Sequence, residues 1–418
     1  MHSENQISIY DFVWAISEAI DLAVPVLNRH HKKVAYIASC IAQEMGLSND
    51  DIQDIILASM LHDIGALPAS ERINALSFEG GDGDMNQHAF SGYELLKSFT
   101  PLSKAAELIK CHHMDFTQPN IDVPIGSNII HLADMTSASF DERREVLEQI
   151  PAILAKVNCT RVSFHPDALA AFGRLAKKVS FWVEAFSRVS NANIFKNVWF
   201  SRGIVELDTL KSFAKVIAQI IDFRSPFTAT HSSGVAAVAM ELCASYGFSE
   251  RECKMMEIAG FLHDLGKLSI SNDILEKRDA LNETEFNAIR KHTYYTYAIL
   301  CKIKGFEHIA AWAAYHHERP DGMGYPFCVK GRDFSKLSRI MAVADVVTAL
   351  TEDRPYRSGM CMDKAQSVLW DMARAGKLDE NIVMELIKKS LPRINDIRLD
   401  AQKTALDEYG VFRKSMCR

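Results

Sequence analysis

Two adjacent histidines, His316 and His317, stand just ahead of Glu318-Arg319-Pro320 and a glycine-bearing turn, Asp321-Gly322-Met323-Gly324-Tyr325-Pro326, with Asp345 further on. Neutral imidazole is the commonest side-chain metal ligand, and a pair of imidazoles at a helix end before a Pro/Gly break is better explained by coordination than by packing. Upstream, His231, the pair His263-Asp264 and His292 extend the set to five imidazoles and two carboxylates. They are spread over different expected helices and helix ends, so they could converge in the core of a bundle, where metal sites are commonly built. The inventory suits a pair of first-row transition metals, because a carboxylate can bridge ions about 3.5–4 Å apart while imidazoles complete each sphere. Asp264 is the natural bridge: it follows His263 directly, and both could reach one ion.

The elements that must position these groups are helical. Most segments carry apolar residues at helical spacing, and none shows sustained strand alternation; Ile204, Leu207, Leu210, Phe213, Ile217, Ile220 and Ile221 form one broad stripe. The expected class is all-α. The chain also repeats itself. ASMLHDIGAL, with His62 and Asp63, matches AGFLHDLGKL, with His263 and Asp264, at an offset of 201, and His30 matches His231 at the same offset. His88 matches His292 and His112-His113 matches His316-His317, both at an offset of 204, and Asp134 matches Asp345 at 211. Seven chemically suited residues kept in register between two halves of one chain are hard to attribute to core packing. The expected organisation is a first helical domain over 1–190, a helical connector over 191–205, and a second domain over 206–418.

Length and composition set the outer bounds. At 418 residues the chain has room for two or three domains, and 48% hydrophobic and 24% charged residues describe an ordinary globular protein. A net charge of −6 argues against binding DNA or RNA polymers, which needs a basic footprint, but leaves room for a small anionic ligand in a local basic pocket. Nine cysteines are scattered without a C-x-x-C pair, which fits a reducing compartment. The first residues, MHSENQISIYDF, have no signal-peptide pattern, and no apolar run approaches the roughly 18 residues of a membrane span. The expectation is a cytoplasmic protein with no membrane contact.

His263-Asp264-x-Gly266-Lys267, His292, His316-His317-Glu318, Asp321-Gly322-x-Gly324-Tyr325-Pro326, Asp345 and Arg354-Pro355-Tyr356-Arg357, in that order, resemble the HD-GYP family of bacterial cyclic-dinucleotide phosphodiesterases over essentially all of residues 225–360. The resemblance implies a hydrolase that opens a cyclic dinucleotide, cyclic GMP-AMP or cyclic di-GMP, to its linear form, using two divalent ions, iron or manganese. It assigns His231, His263, Asp264 and Asp345 to one ion and Asp264, His292, His316 and His317 to the other. A glutamate that holds a third ion in some members is Phe227 here, which implies two metals. Asp264 and Lys267 are the catalytic candidates, with Lys267 placed to touch a phosphate oxygen or to assist proton transfer. Asp321, Gly322, Gly324 and Tyr325 are expected at the substrate, Tyr325 through its aromatic face or its hydroxyl. Arg354 and Arg357 are phosphate forks or exposed charges. Gly234 and Thr348 depart from the family, which often has arginine and aspartate at those positions.

The first copy keeps His30, His62, Asp63, His88, His112, His113 and Asp134, but Ala66 replaces the lysine and MDFTQPNIDVP replaces the glycine turn. It resembles the broader HD fold. It either binds metal without catalysing or carries a relic of duplication, and a regulatory or dimer-forming role, with homodimerisation through the N-terminal half, is the expectation. The alternatives to the phosphodiesterase are an HD-type nucleotide phosphohydrolase, a non-catalytic nucleotide- or metal-sensing module, and a di-iron oxygenase.

Overall fold

The computed structural model describes residues 7–22, 29–66, 82–186, 204–222, 230–275, 277, 279–353 and 358–416. Phe227, Arg354, Arg357 and residues 191–203 of the expected connector lie outside the described residues. The fold is all-α, as expected. The only sheet among the described residues is a two-stranded antiparallel ribbon, β1 (Ile7–Ser8) with β2 (Ile204–Val205), in the register Ile7 to Val205 and Ser8 to Ile204. Ile204 therefore leaves the helical stripe for this ribbon; the helix behind it begins at Leu207. The chain divides into two compact units, one of Met1–Ala15 with Ile204–Lys414 and the other essentially Ile16–Gly203, and the division falls inside the first helix, α1 (Ile9–Leu22).

In the second unit of the sequence order, α1 ends and is followed by α2 (His30–Glu44), α3 (Asn49–Leu61), α4 (Asp82–Leu96), α5 (Ser103–Lys110), α6 (Ile125–Ala138), α7 (Val146–Cys159), α8 (Pro166–Leu175) and α9 (Val179–Phe186). Helix α2 packs on α3 and α6, and it is buried nearly all round, from His30 to Ala42. A helix with so little polar face has no surface role, so its histidines belong to the interior.

The unit that holds the later residues contains α10 (Leu207–Asp222), α11 (His231–Ser245), α12 (Glu250–Leu262), α13 (Glu283–Leu300), α14 (Glu307–Ala314), α15 (Lys336–Thr351), α16 (Met362–Arg374), α17 (Glu380–Glu385) and α18 (Leu391–Met416). Helices α12 and α13 start at capping boxes, Ser249 with Glu252 and Asn282 with Glu285; such caps contribute about 1 kcal/mol each. They fix where each helix begins, and hence which turn carries His263 and His292. Helix α11 packs against α12 and α15 at the centre. The stripe on α10 is buried through Leu210, Phe213, Ile217, Ile220 and Ile221, and Phe12 of α1 closes over it, its ring 5.2 Å from that of Phe213 and 5.7 Å from that of Phe306. No helix among the described residues is long and apolar enough to cross a membrane. The eight described cysteines are free thiols.

Candidate metal centre

In the C-terminal half, helix ends deliver the polar groups. His231 opens α11, His263 and Asp264 follow the last turn of α12, His292 lies within α13, His316 and His317 form the 3-10 turn after α14, and Asp345 sits in α15. Gly266 lets the His263-Asp264 turn lie against α13: a Cβ there would stand 1.9 Å from the His292 carbonyl oxygen. Thr296 Oγ1 locks that approach, donating to the His263 carbonyl at 3.1 Å and accepting from the Gly266 amide at 2.9 Å.

His263, His292 and His316 each place Nδ1 2.7 Å from a backbone carbonyl three residues earlier, those of Gly260, Ile289 and Ala313. A carbonyl only accepts, so Nδ1 carries the proton and Nε2 presents a lone pair to the centre. His292 Nε2 and His316 Nε2 are 3.2 Å apart, His263 Nε2 is 3.2 Å from Asp264 Oδ2, and His231 Nε2 is 3.1 Å from Asp345 Oδ1. Ligand atoms about 2.0–2.1 Å from a common ion, at angles between 90° and tetrahedral, would be about 2.9–3.4 Å apart. The observed spacings fall in that window, and two facing lone pairs have no other attraction to hold them there. The donor set therefore fits divalent metal.

Asp264 faces both ways. Its Oδ2 meets His263 and, at 2.5 Å, Lys267 Nζ, while its Oδ1 lies 3.4 Å from His292 Nε2 and 4.0 Å from His316 Nε2. His231, His263 and Asp264 form one compact ligand group, and His292, His316 and His317 another. The electrostatics match. Burial opposes charge on Asp264 and Asp345, but His263 and Lys267 hold the first well below the usual carboxylate range and the His231 hydrogen bond holds down the second. Burial pushes His292 down to about 3 and, with neighbouring His317, pushes His316 well down, so both are neutral. His231 goes the other way, up to about 10 against the effect of burial, because it lies between Glu352 and Asp345.

Glu352 is the residue that sequence reasoning missed. It is buried, and its Oε2 lies 3.0 Å from His231 Nδ1, so a carboxylate backs this imidazole where carbonyls back His263, His292 and His316. A partial signal existed: Glu352 follows Asp345 by seven residues and caps the end of α15, near the end of the turns that carry Asp345. Such backing carboxylates orient an imidazole and raise its basicity, and their loss costs roughly 10–100-fold in metal affinity. Glu352→Gln is expected to weaken metal retention by about that factor, read by elemental analysis during chelator competition; unchanged retention would remove Glu352 from the centre.

The turn after His317 is closed by its own contacts. Gly324 lies so close to the chain that a Cβ would meet Glu318 Cα at 2.4 Å, and Gly322 takes φ +74°. Buried Glu318 accepts from the amides of Phe327 at 2.7 Å and Val329 at 3.2 Å. Asp321 accepts from the Met323 amide at 2.8 Å and pairs with Arg319, so its carboxylate serves the turn. Tyr325 is brought to the histidine cluster: its ring is 5.0 Å from that of His317, and the exposed Arg290 guanidinium lies 4.9 Å over it. Gly234 and Thr348 face each other, a Cβ on Gly234 falling 3.0 Å from Thr348 Cγ2, and Arg398 and Gln402 of α18 fill the space beside them.

The N-terminal half builds a parallel centre from its own copy. His30 Nε2 is 3.0 Å from Asp134 Oδ1, Asp63 Oδ2 is 3.4 Å from His62 Nε2, and Asp63 Oδ1 is 3.3 Å from His88 Nε2. His88 Nε2 lies 3.4 Å from His112 Nε2 and 3.1 Å from His113 Nε2. All seven are buried.

Models of the HD domain match residues 28–139 and 215–382. The chain is 27% identical over 413 residues to 3'3'-cGAMP-specific phosphodiesterase 1 of Vibrio cholerae, covering 93% of each chain. It is 32% identical over 249 residues to 3'3'-cGAMP-specific phosphodiesterase 3 of the same organism, 59% of this chain and 53% of that one. To the cyclic di-GMP phosphodiesterase response regulator RpfG of Xanthomonas campestris it is 33% identical over 183 residues, 43% of this chain and 48% of that one. The solved structure of a cyclic GMP-AMP specific phosphodiesterase of V. cholerae, V-cGAP3, shares the fold, with a TM-score of 0.65 at 20% identity over 96% of this chain and 98% of that one. With both halves matched and a His/Asp cluster gathered in each, the chain belongs to the HD domain family and carries two of its domains in tandem, the second of the HD-GYP type.

Proposed function

We propose that the C-terminal domain is a metal-dependent phosphodiesterase that hydrolyses a cyclic dinucleotide, cyclic GMP-AMP or cyclic di-GMP, to the linear dinucleotide. The observation that carries this reading is Asp264, whose two oxygens face separate imidazole groups while Lys267 sits on one of them. His231, His263, Asp264 and Asp345 would hold one divalent ion and Asp264, His292, His316 and His317 a second, iron or manganese by resemblance. Such a pair, when bound, activates water and neutralises phosphodiester charge.

The rest is done by the chain's own side chains. Asp264 raises the Lys267 ammonium above its ordinary value despite burial, so Lys267 works as a cation or proton donor and not as a base. A quarter of its side chain is exposed, which leaves Nζ able to meet a phosphate oxygen or to protonate the departing ribose oxygen. Tyr325 offers a ring face to a base, and Arg290 beside it a positive charge to a phosphate. Glu318 and Gly324 hold that loop against His317.

The names of the relatives support the substrate class, and the scattered free thiols suit a cytoplasmic setting. A regulatory or dimer-forming N-terminal domain remains part of the proposal, resting on Ala66 and the missing glycine turn. Incubating metal-loaded protein with cyclic di-GMP, cyclic di-AMP and cyclic GMP-AMP in parallel, with products identified by mass, tests the reading. A linear dinucleotide supports it; phosphate release from a mononucleotide alone would replace it with a phosphohydrolase. Lys267→Met is expected to lower kcat by roughly 10²–10³-fold with metal content retained, the cost of one transition-state cation or donor.

A further inference from the structure

We propose that the N-terminal domain holds a transition-metal centre of its own in which His31, a residue outside the repeated set, is a ligand oriented by Asp21. That centre would then have one protein ligand more than its C-terminal counterpart. His31 is fully buried, and its Nδ1 is bonded to an Asp21 carboxylate oxygen, which turns Nε2 inward. There it stands 3.9 Å from Asp63 Oδ2, with its ring 5.0 Å from that of His62 and 5.6 Å from that of His30. The Nε2 atoms of His30, His31 and His62 are all buried and without a hydrogen-bond partner. His30 Nε2 has Asp134 Oδ1 at 3.0 Å, close enough for a hydrogen bond but off its line. A buried polar atom without a partner costs about 1–3 kcal/mol. Three imidazole nitrogens left so around two carboxylates are relieved together by one cation.

The other half of the chain provides the control. At the positions matching Asp21 and His31, at the offset of 201, stand Asp222 and Ser232. Ser232 donates to Asp222 from its hydroxyl at 2.8 Å and its amide at 2.9 Å, so a serine meets that carboxylate where an imidazole meets Asp21. The exchange goes with a second one. Lys267, which meets Asp264 Oδ2, is Ala66 in the first copy, and there the same oxygen of Asp63 is faced by His62 and His31. A cation on the carboxylate has been exchanged for an imidazole beside it. Imidazole and carboxylate together suit divalent iron, zinc or nickel. With a further imidazole and no lysine, such a centre would keep its ion without turnover.

The test uses the full chain carrying Asp264→Ala and His292→Ala, which disables the C-terminal set and leaves any remaining metal to the N-terminal one. This protein is expected to retain metal by elemental analysis after dialysis. Adding Asp21→Asn should lower its affinity for Co²⁺ by about 10–100-fold, and His31→Ala by at least as much. Cobalt bound with one ligand fewer should also absorb more strongly in the visible. A disabled chain without metal, or His31→Ala with unchanged affinity and spectrum, would overturn the proposal. If His31→Ala loses its helical circular dichroism, Asp21→Asn decides, since it keeps size and a hydrogen-bond acceptor: unchanged affinity there refutes the role. Turnover is lost in the disabled chain in every case, so this proposal and the phosphodiesterase reading fail separately.

Discussion

Asp264→Ala is expected to abolish measurable turnover and to lower metal content at the C-terminal centre. The two oxygens of Asp264 face both imidazole groups, with His263 at 3.2 Å from one and His292 at 3.4 Å from the other. Its removal takes a ligand from each group and frees Lys267 from its carboxylate partner. Losing about 4 kcal/mol of metal-derived transition-state stabilisation corresponds to roughly a 10³-fold fall in rate. Product formation by mass, beside metal analysis of the same sample, checks it. Normal turnover with full metal content would remove Asp264 from the bridge position.

Gly324→Ala is expected to have a large effect of a different kind, one that separates the turn after His317 from the His/Asp cluster. The new methyl would lie 2.4 Å from Glu318 Cα, 2.5 Å from the Arg319 amide nitrogen and 2.6 Å from the His317 carbonyl oxygen. All three are backbone atoms and cannot swing aside. The loop must move, which disturbs the Tyr325 amide bond to the His317 carbonyl at 3.2 Å and the amides held by Glu318. A displacement of about 1 Å in a positioning group costs on the order of 10²-fold. The expected result is a fall of about that size in kcat/KM with metal content near normal. Wild-type kinetics would show that the loop does not position substrate.

Much of the centre was legible because metal-binding chemistry restricts residue type, and the repeat supplied a register in which His231, Asp264 and Asp345 each had a counterpart. The all-α class followed from helical periodicity. Glu352 and Glu318 were given no role because a carboxylate that backs an imidazole or pins a loop looks, in sequence, much like any acid at a helix end; burial and the facing donor distinguish it. His31 was hidden beside His30, since adjacent helical residues ordinarily face different ways, and only the carboxylate behind it shows that it turns inward. The ribbon of Ile7–Ser8 with Ile204–Val205 could not be anticipated from two-residue strands, which carry no periodicity.

That ribbon has a practical corollary for anyone who would cut the gene in two. A fragment starting at Ile204 would carry every C-terminal ligand histidine, yet its Ile204–Val205 edge would have lost its pairing strand. Phe213 and Phe306 would lose Phe12, a contribution of about 2 kcal/mol or more from one buried aromatic ring. Grafting residues 7–15 back by a linker is the remedy the topology suggests: the amino terminus is a missing piece of the distant half, and a bare catalytic fragment should be sticky and short-lived for reasons unrelated to its chemistry.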